Sequence, residues 1–577
     1  MPNEAMKPHK TLQCDLLVLG SGAGGLSAAV TAAHLGLRVI VAEKDPKIGG
    51  TTAWSGGWMW VPRNPLARAA GIEEDLEQPL NYLRHELGER FDETMARRYL
   101  TAAPRMVAFF QQHTALQFID GNAIPDFHGH TPDAGLGGRS VCAAPFDGSK
   151  LGTHAAYLKP PLLENTFWGL GIASGAELRH YLQATRSLTS FLYVTRRLLG
   201  YALDRVIYGR ATRLVNGHAL AGALLASARK LGVHFELSAP AVALRQEEGR
   251  VCGADLQTPH GLIRVAASRG VVLATGGFPH DARRKRALLT HAPTGEEHKS
   301  AASWGNTGDG LRLGESVGAV VAQDLRAAAA LAPVSRYTRP DGQVVHFPHL
   351  IDRAKPGLIA VTPEGKRFCN EADSYHDFTQ ALLRATPRER VARAWLIADH
   401  AFVRRYGLGV AKPAPLSLTP YVRQGYLRRG NSLAELARAC DIPPEALAQT
   451  VLRYNAMAER GVDDDFAKGQ TPYNRIQGDA TRDLPNPCMA PIARGPFYAV
   501  AIEQGSLGTF AGLRVNPEGQ ALDARGQAIA GLYASGNEMA SIMAGHYPSG
   551  GITLGPAMTF GFLAAQHAAG QDVSLQP

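Results

Sequence analysis

Residues Cys14 to Gly25 read CDLLVLGSGAGG, and this stretch decides the fold. LLVL is a short apolar run, as expected of a buried parallel strand. It ends in Gly20-x-Gly22-x-x-Gly25, after which LSAAVTAAHLG has the small-residue periodicity of a helix. A second apolar run, LRVIVA from Leu37 to Ala42, ends on Glu43. Strand, glycine turn, helix, strand and terminal acid form a complete dinucleotide-binding unit. Gly20 permits the tight turn, Gly22 lets a pyrophosphate approach the backbone, and Gly25 brings the helix close to the strand. Ala23 and Gly24 open the helix, whose free N–H groups and positive dipole end face the phosphates. Glu43 is placed to accept hydrogen bonds from ribose hydroxyls.

The loop that follows separates the candidate cofactors. Lys44 to Gly57 (KDPKIGGTTAWSGG) places Gly50, Thr51, Thr52, Ser55, Gly56 and Gly57 next to the ribose acid. Such a loop can run along the pyrophosphate and the edge of a flavin, whereas an NAD domain would continue into further strand–helix units. RGVVLATGGF, from Arg269 to Phe278, adds a strand ending in Thr275-Gly276-Gly277 that can close over the same cofactor. The cofactor predicted is FAD.

Composition narrows the rest. A chain of 577 residues exceeds one compact core, so two domains are expected. The formal charge of +9 is scattered without a long basic block, which argues against a nucleic-acid partner. Six widely spaced cysteines offer no C-x-x-C pair, so no metal site is predicted and a reducing compartment is. The start, MPNEAMKPHKTLQCD, lacks a signal pattern, and no apolar run reaches about 18 residues. A cytoplasmic location is therefore expected. The segment from Glu177 to Arg213 reads as one amphipathic helix carrying Arg196, Arg197, Arg205 and Arg210. It suits either a flap on its own domain or a peripheral membrane contact.

With these motifs in hand, the chain resembles the fumarate reductase and succinate dehydrogenase flavoproteins and, among them, the 3-ketosteroid Δ1-dehydrogenases. The resemblance rests on GSGAGG, GGTTAWSGGWMWVP, ATGGF, GNTGDG (Gly305 to Gly310), GKRFCNEADSYHDF (Gly365 to Phe378) and GLYASGNEMASIMAGHYPSGGITLGPAMTFG (Gly531 to Gly561), spread over most of the chain. It implies an α/β fold: a Rossmann-type FAD-binding domain (GR2-like) with an inserted α+β catalytic cap. The expected boundaries are 1–309 for the first part of the FAD domain, with a helical insertion at about 155–213, then 310–488 for the cap and 489–577 for the return. Further FAD contacts are expected at Lys44, Val242, Asn306, Asp309, Gly536, Asn537, Ile552, Thr553 and Leu554. The succinate enzymes attach FAD to a His in the loop after the ribose acid. That loop holds no His here, so the FAD is expected to be non-covalent.

The resemblance also implies a chemistry. Tyr375 stands where the ketosteroid enzymes place their general base, and Tyr547 and Gly551 stand where they place the donors to a substrate carbonyl. The chain from Gly526 to Pro577 contains no Arg or Lys, so a dicarboxylate clamp has lost a jaw. The implied activity introduces a C=C bond beside a ring ketone, first of all in a 3-oxosteroid. The alternatives are a small cyclic ketone or a reductase acting on an enone. The sequence is silent on the electron acceptor, expected to be a quinone or similar. One departure stands out. Where the ketosteroid enzymes carry a helper tyrosine before a G-R-S motif, this chain has Phe127, next to His128 and before Gly138-Arg139-Ser140. His128 and His376 are the candidates to replace that hydroxyl.

Overall fold

A computed structural model describes residues 8–387 and 390–571. The first seven residues and the tail after Gln571 lie outside it, and with them the start of the segment read for a signal pattern. The apolar runs of the sequence become one main sheet. His234–Leu237, Val39–Glu43, Lys10–Leu19 and Gly261–Leu273 lie side by side, all parallel. Gly261–Leu273 is long enough to serve two neighbours. Its first half pairs antiparallel with Arg250–Thr258 and its last residues pair parallel with Ala528–Ala534. Gly270 marks the exchange, at φ +124° and so close to Gly531 that a Cβ would stand 2.2 Å from its carbonyl oxygen. Only glycine fits there.

Two nearly all-buried helices, Ala23–His34 and Leu554–Ala568, cover this sheet. Their contact is backbone on backbone: a Cβ on Gly561 would meet the Gly24 carbonyl oxygen at 2.3 Å, and Ser27 Oγ donates to the Met558 carbonyl at 2.6 Å. The last helix therefore brings the Tyr547–Leu554 loop over the glycine turn.

The cap is a second, antiparallel sheet. Its order is Val344–Pro348, Val334–Thr338, Phe497–Glu503, Arg393–Asp399 and Leu358–Val361, and Leu427–Gly430 also pairs with Phe497–Glu503. Along Arg393–Asp399, Ala394, Leu396 and Ala398 enter one apolar cluster, while Trp395 and Ile397 enter another on the opposite face. That is the two-residue period of a strand buried on both sides.

One boundary and one helix differ from expectation. Phe497–Glu503 pairs along its whole length with cap strands, so the cap runs past 488 and the chain returns only after Glu503. The segment 177–213 is not one helix but two, Ala176–Gln183 and Leu188–Tyr208. Ser187 caps the second, its side chain accepting from Ser190 N, and Gly209 ends it in the left-handed conformation. No helix among the described residues is long and apolar enough to cross a membrane.

Candidate active site

A cavity of about 1760 Å³ runs from the glycine turn to the cap. It exceeds the roughly 300–1,000 Å³ usual for one ligand, so two molecules can share it. At the dinucleotide end the walls are main chain. Gly20, Gly22, Ala23 and Gly24 line it, as do Glu43, Lys44, Gly50, Thr51, Thr52, Ser55, Gly56, Gly57, Thr275, Gly276, Asn306, Asp309, Gly536, Asn537, Thr553 and Leu554. Thr52 Oγ1 accepts from Ala23 N at 2.9 Å, and Asn306 Nδ2 donates to Thr51 Oγ1 and the Gly276 carbonyl, both at 3.1 Å. Lys44 Nζ donates to Asp309 Oδ2 at 2.7 Å. Ser21 and Asp45 hold the Glu43 carboxylate through their N–H groups at 2.9 Å.

Four expected contacts stand off the cavity wall. Gly25 packs under the turn, where a Cβ would lie 2.0 Å from the Gly20 carbonyl oxygen. Gly277 abuts Thr509 and Asn537. Ile552 is buried behind Thr553. Val242 is a correction: it sits on an exposed strand face, and Ala239, Pro240 and Ala241 line the cavity in its stead. Glu538 escaped the sequence reading. It is fully buried, accepts from Thr275 Oγ1 at 2.6 Å and Gly277 N at 3.1 Å, and its Oε1 has no partner. Burial raises its pKa. Glu538 stands behind the cavity wall; the glycine cradle at the N-terminus of Ala23–His34, with Glu43 beside it, is what the pyrophosphate and ribose of a bound dinucleotide would occupy. The residues fit FAD.

The other end is aromatic. Phe127, Tyr375, Tyr473 and Tyr547 converge on the cavity, next to Gly550 and Gly551. The Phe127 ring stacks on Tyr547 at 5.8 Å and meets Tyr375 edge-on at 5.7 Å, while Tyr375 and Tyr547 lie edge to face at 5.0 Å. Burial, and then a hydrogen bond with Tyr547, push the Tyr375 phenol well above its usual pKa. Burial also lifts Tyr547 to about 12, which keeps it a neutral donor. Gly551 is compulsory: at φ +96° a side chain would strike the backbone of Trp58 to Trp60.

Each ring is fixed by groups behind it. Phe127 N donates to the Pro548 carbonyl at 3.0 Å, tying it to the Tyr547 loop. Asp126 accepts from Trp60 Nε1 at 2.8 Å and Arg139 Nη1 at 2.6 Å, so the Arg of the G-R-S motif is an anchor. Tyr375 begins the helix Tyr375–Ala385, capped by Ser374. Arg367 of the RFCNE stretch grips Glu371 through two bonds of 2.9 Å and also binds Asp463, fixing the preceding loop from below. Arg353, fully buried, donates to the carbonyls of His349, Glu371 and Asp373, and its positive charge favours the ionised form of both Tyr375 and Tyr473.

The histidines offered in place of the helper hydroxyl are occupied. His128 lies between Glu86 and Asp377, at 2.5 and 2.8 Å. Burial opposes its charge, but hydrogen bonds to Asp377 and Glu86 hold its pKa up at about 10. It is a charged donor and does not line the cavity. His376 Nδ1 accepts from Leu331 N and its Nε2 meets Gln380, while burial lowers its pKa to about 4. Tyr473 is a further phenol against Phe127, with its ring centroid 4.4 Å away. Asn474 Nδ2 donates to the Ala372 carbonyl and Asp373 Oδ1, each at 3.1 Å, and so docks the Tyr473 helix on the Tyr375 loop. In the sequence, TPYNRIQ carries no signal of this role.

The FAD binding domain family matches residues 15–554. The chain belongs to that family. Over 565 residues it is 36% identical to a 4-oxocyclohex-2-ene-1-carboxylate 5-dehydrogenase of Sinomonas cyclohexanicum, covering 98% of this chain and 95% of the relative. It is 35% identical to a 3-oxosteroid 1-dehydrogenase of Mycobacterium tuberculosis, covering 96% and 98%. A crystal structure of the 3-ketosteroid Δ1-dehydrogenase from Sterolibacterium denitrificans, in complex with 1,4-androstadiene-3,17-dione, superimposes with a TM-score of 0.89 at 33% identity, covering 97% and 99%. The protein is therefore an FAD-dependent oxidoreductase of the 3-ketosteroid dehydrogenase family.

Proposed function

We propose that this enzyme introduces a C=C bond beside a ring ketone, with a 3-oxosteroid as the first candidate substrate. The observation that carries the reading is the pairing of Tyr375 with Tyr547 beside Gly551 on one cavity wall. The Tyr547 hydroxyl and the Gly551 N–H are placed to donate to the ketone oxygen, where negative charge develops as the neighbouring carbon loses its proton. Both donors are neutral, so the surrounding aromatic wall stays dry. Tyr375 takes the proton onto its phenolic oxygen. Its burial opposes the ionised form that this requires, and the Arg353 charge favours it. When bound, FAD supplies the acceptor for the hydride lost from the adjacent carbon.

A small ring is the second reading, favoured by the crowding of Phe127, Tyr375, Tyr473 and Tyr547 around the ketone site. The test is anaerobic mixing of the oxidised enzyme with androstenedione, cyclohexanone and succinate while the flavin absorption is followed. Bleaching by either ketone is expected. Bleaching by succinate alone would sink the proposal, and bleaching by none would favour a reductase acting on enones.

The helix Leu188–Tyr208 is proposed as a peripheral membrane contact. Leu188, Phe191, Leu192, Leu199, Leu203 and Val206 form an exposed apolar stripe, flanked by Arg196 and Arg205. Such a face suits an anionic bilayer surface, where an apolar ketone and a quinone-type acceptor would both dissolve. Co-sedimentation with phosphatidylserine vesicles should fall at least tenfold in Leu199→Glu/Leu203→Glu. Undiminished binding would remove the helix from the membrane.

A further inference from the structure

Away from the tyrosines, the cavity passes between the cap and the helix Ala176–Gln183, and its wall changes character. Lys355, Arg179 and Arg405 line it there, with Asp479 as their acidic neighbour. Asp479 is already spent. One oxygen accepts from Arg405 Nε at 3.0 Å and the Tyr406 hydroxyl at 2.6 Å, and the other from the N–H and hydroxyl of Thr481. Among the described residues, Lys355 makes no ion pair with a carboxylate. Its Nζ donates to the carbonyls of Gln477 and Gly478 at 2.6 and 2.7 Å, which occupies two of three N–H bonds. Burial lowers its pKa; the Asp479 charge opposes this, and the Arg179 charge adds to it. Arg405 and Arg482 both act on Arg186, so further positive charge gathers at this end of the cavity.

A mostly buried ammonium with no direct ion pair, its one acidic neighbour Asp479 already bound to Arg405, Tyr406 and Thr481, is costly, because carbonyl dipoles replace only part of its hydration. The cost is recovered if a ligand anion completes the site. The ketone end of the cavity, by contrast, offers only neutral donors. We infer that Lys355, with Arg179 across from it, binds a carboxylate carried by the substrate at a position remote from its ring ketone. The substrate class is then an oxo-ring acid: an uncharged ketone at the Tyr547 end and an anion at the Lys355 end. This rests on the ketone reading above, and it adds a requirement that the tyrosines do not impose.

Matched pairs test it. The holoenzyme is given 4-oxocyclohexanecarboxylate and its methyl ester, and a 3-oxosteroid with a side-chain carboxylate and its methyl ester. The ratio of kcat/KM for acid over ester is measured for each pair. In at least one pair the acid should be preferred. Lys355→Met should lower that ratio at least tenfold, mainly through KM, while Lys355→Arg keeps most of it. Arg179→Gln, at an exposed position, should lower it less and serves if Lys355→Met fails to fold. An unchanged ratio in both Lys355→Met and Arg179→Gln would overturn the inference. If no ketone of either pair is oxidised, the ketone reading has failed. The anion site is then judged alone, by whether the acids perturb the flavin band at equilibrium and lose that affinity in Lys355→Met.

Discussion

The two ends of the cavity are built on opposite plans. At the dinucleotide end the walls are glycine backbone, a helix N-terminus and short hydroxyl side chains, nearly all supplied by loops at the ends of the main sheet's strands. At the ketone end the working groups are side chains from four places: Phe127, Tyr375, Tyr473 and Tyr547. A backbone site tolerates almost no added atoms, because its shape is the chain itself. A side-chain site keeps its shape when one atom is removed and loses only the chemistry of that atom. The two ends should therefore fail differently.

The largest effect is expected at the backbone end. Gly25→Ala puts a methyl group 2.0 Å from the Gly20 carbonyl oxygen, and neither strand nor helix can withdraw. A cost of about 3 kcal/mol or more is expected. Flavin content, read from the visible absorption of the purified protein, should drop severely together with the melting temperature. A fully loaded, equally stable variant would mean that the turn is looser than its contacts imply.

At the ketone end, Tyr547→Phe removes one donor and little packing. Turnover of the ketone should fall by about a hundredfold, near 2.7 kcal/mol of transition-state stabilisation, with flavin content intact. Near-normal turnover would move the ketone oxygen elsewhere. Loss of flavin in this variant would erase the contrast between the two ends.

The same contrast explains what the sequence could tell. Glycine spacing is a direct record of close backbone approach, so Gly20, Gly22, Thr51 and Gly276 were legible from their order along the chain, and Gly25 as a packing glycine. Tyr375, Tyr547 and Gly551 were legible only through the resemblance, since no periodicity marks them. Tyr473, Arg353 and Glu538 were not legible. Each lies in a short segment whose partners are far away in sequence: Tyr473 packs on Phe127, and Arg353 reaches Glu371 and Asp373. The run FYAVAIE from Phe497 reads equally well as a strand of either sheet. Only its pairing with Arg393–Asp399 assigns it to the cap.

That pairing bears on how such a chain can be re-engineered. The path into the cap and the path out of it are stitched together in one small sheet, in which Lys299–Ser300 and Ala329–Leu331 flank Gly505–Thr509. Leu331 pairs with Ser506, so the entrance and exit of the cap are adjacent. A segment with neighbouring ends behaves as a cassette. It can be excised and replaced by another domain of similar span without re-routing the main sheet, which makes these residues the natural splice points for exchanging substrate recognition while the flavin end is kept.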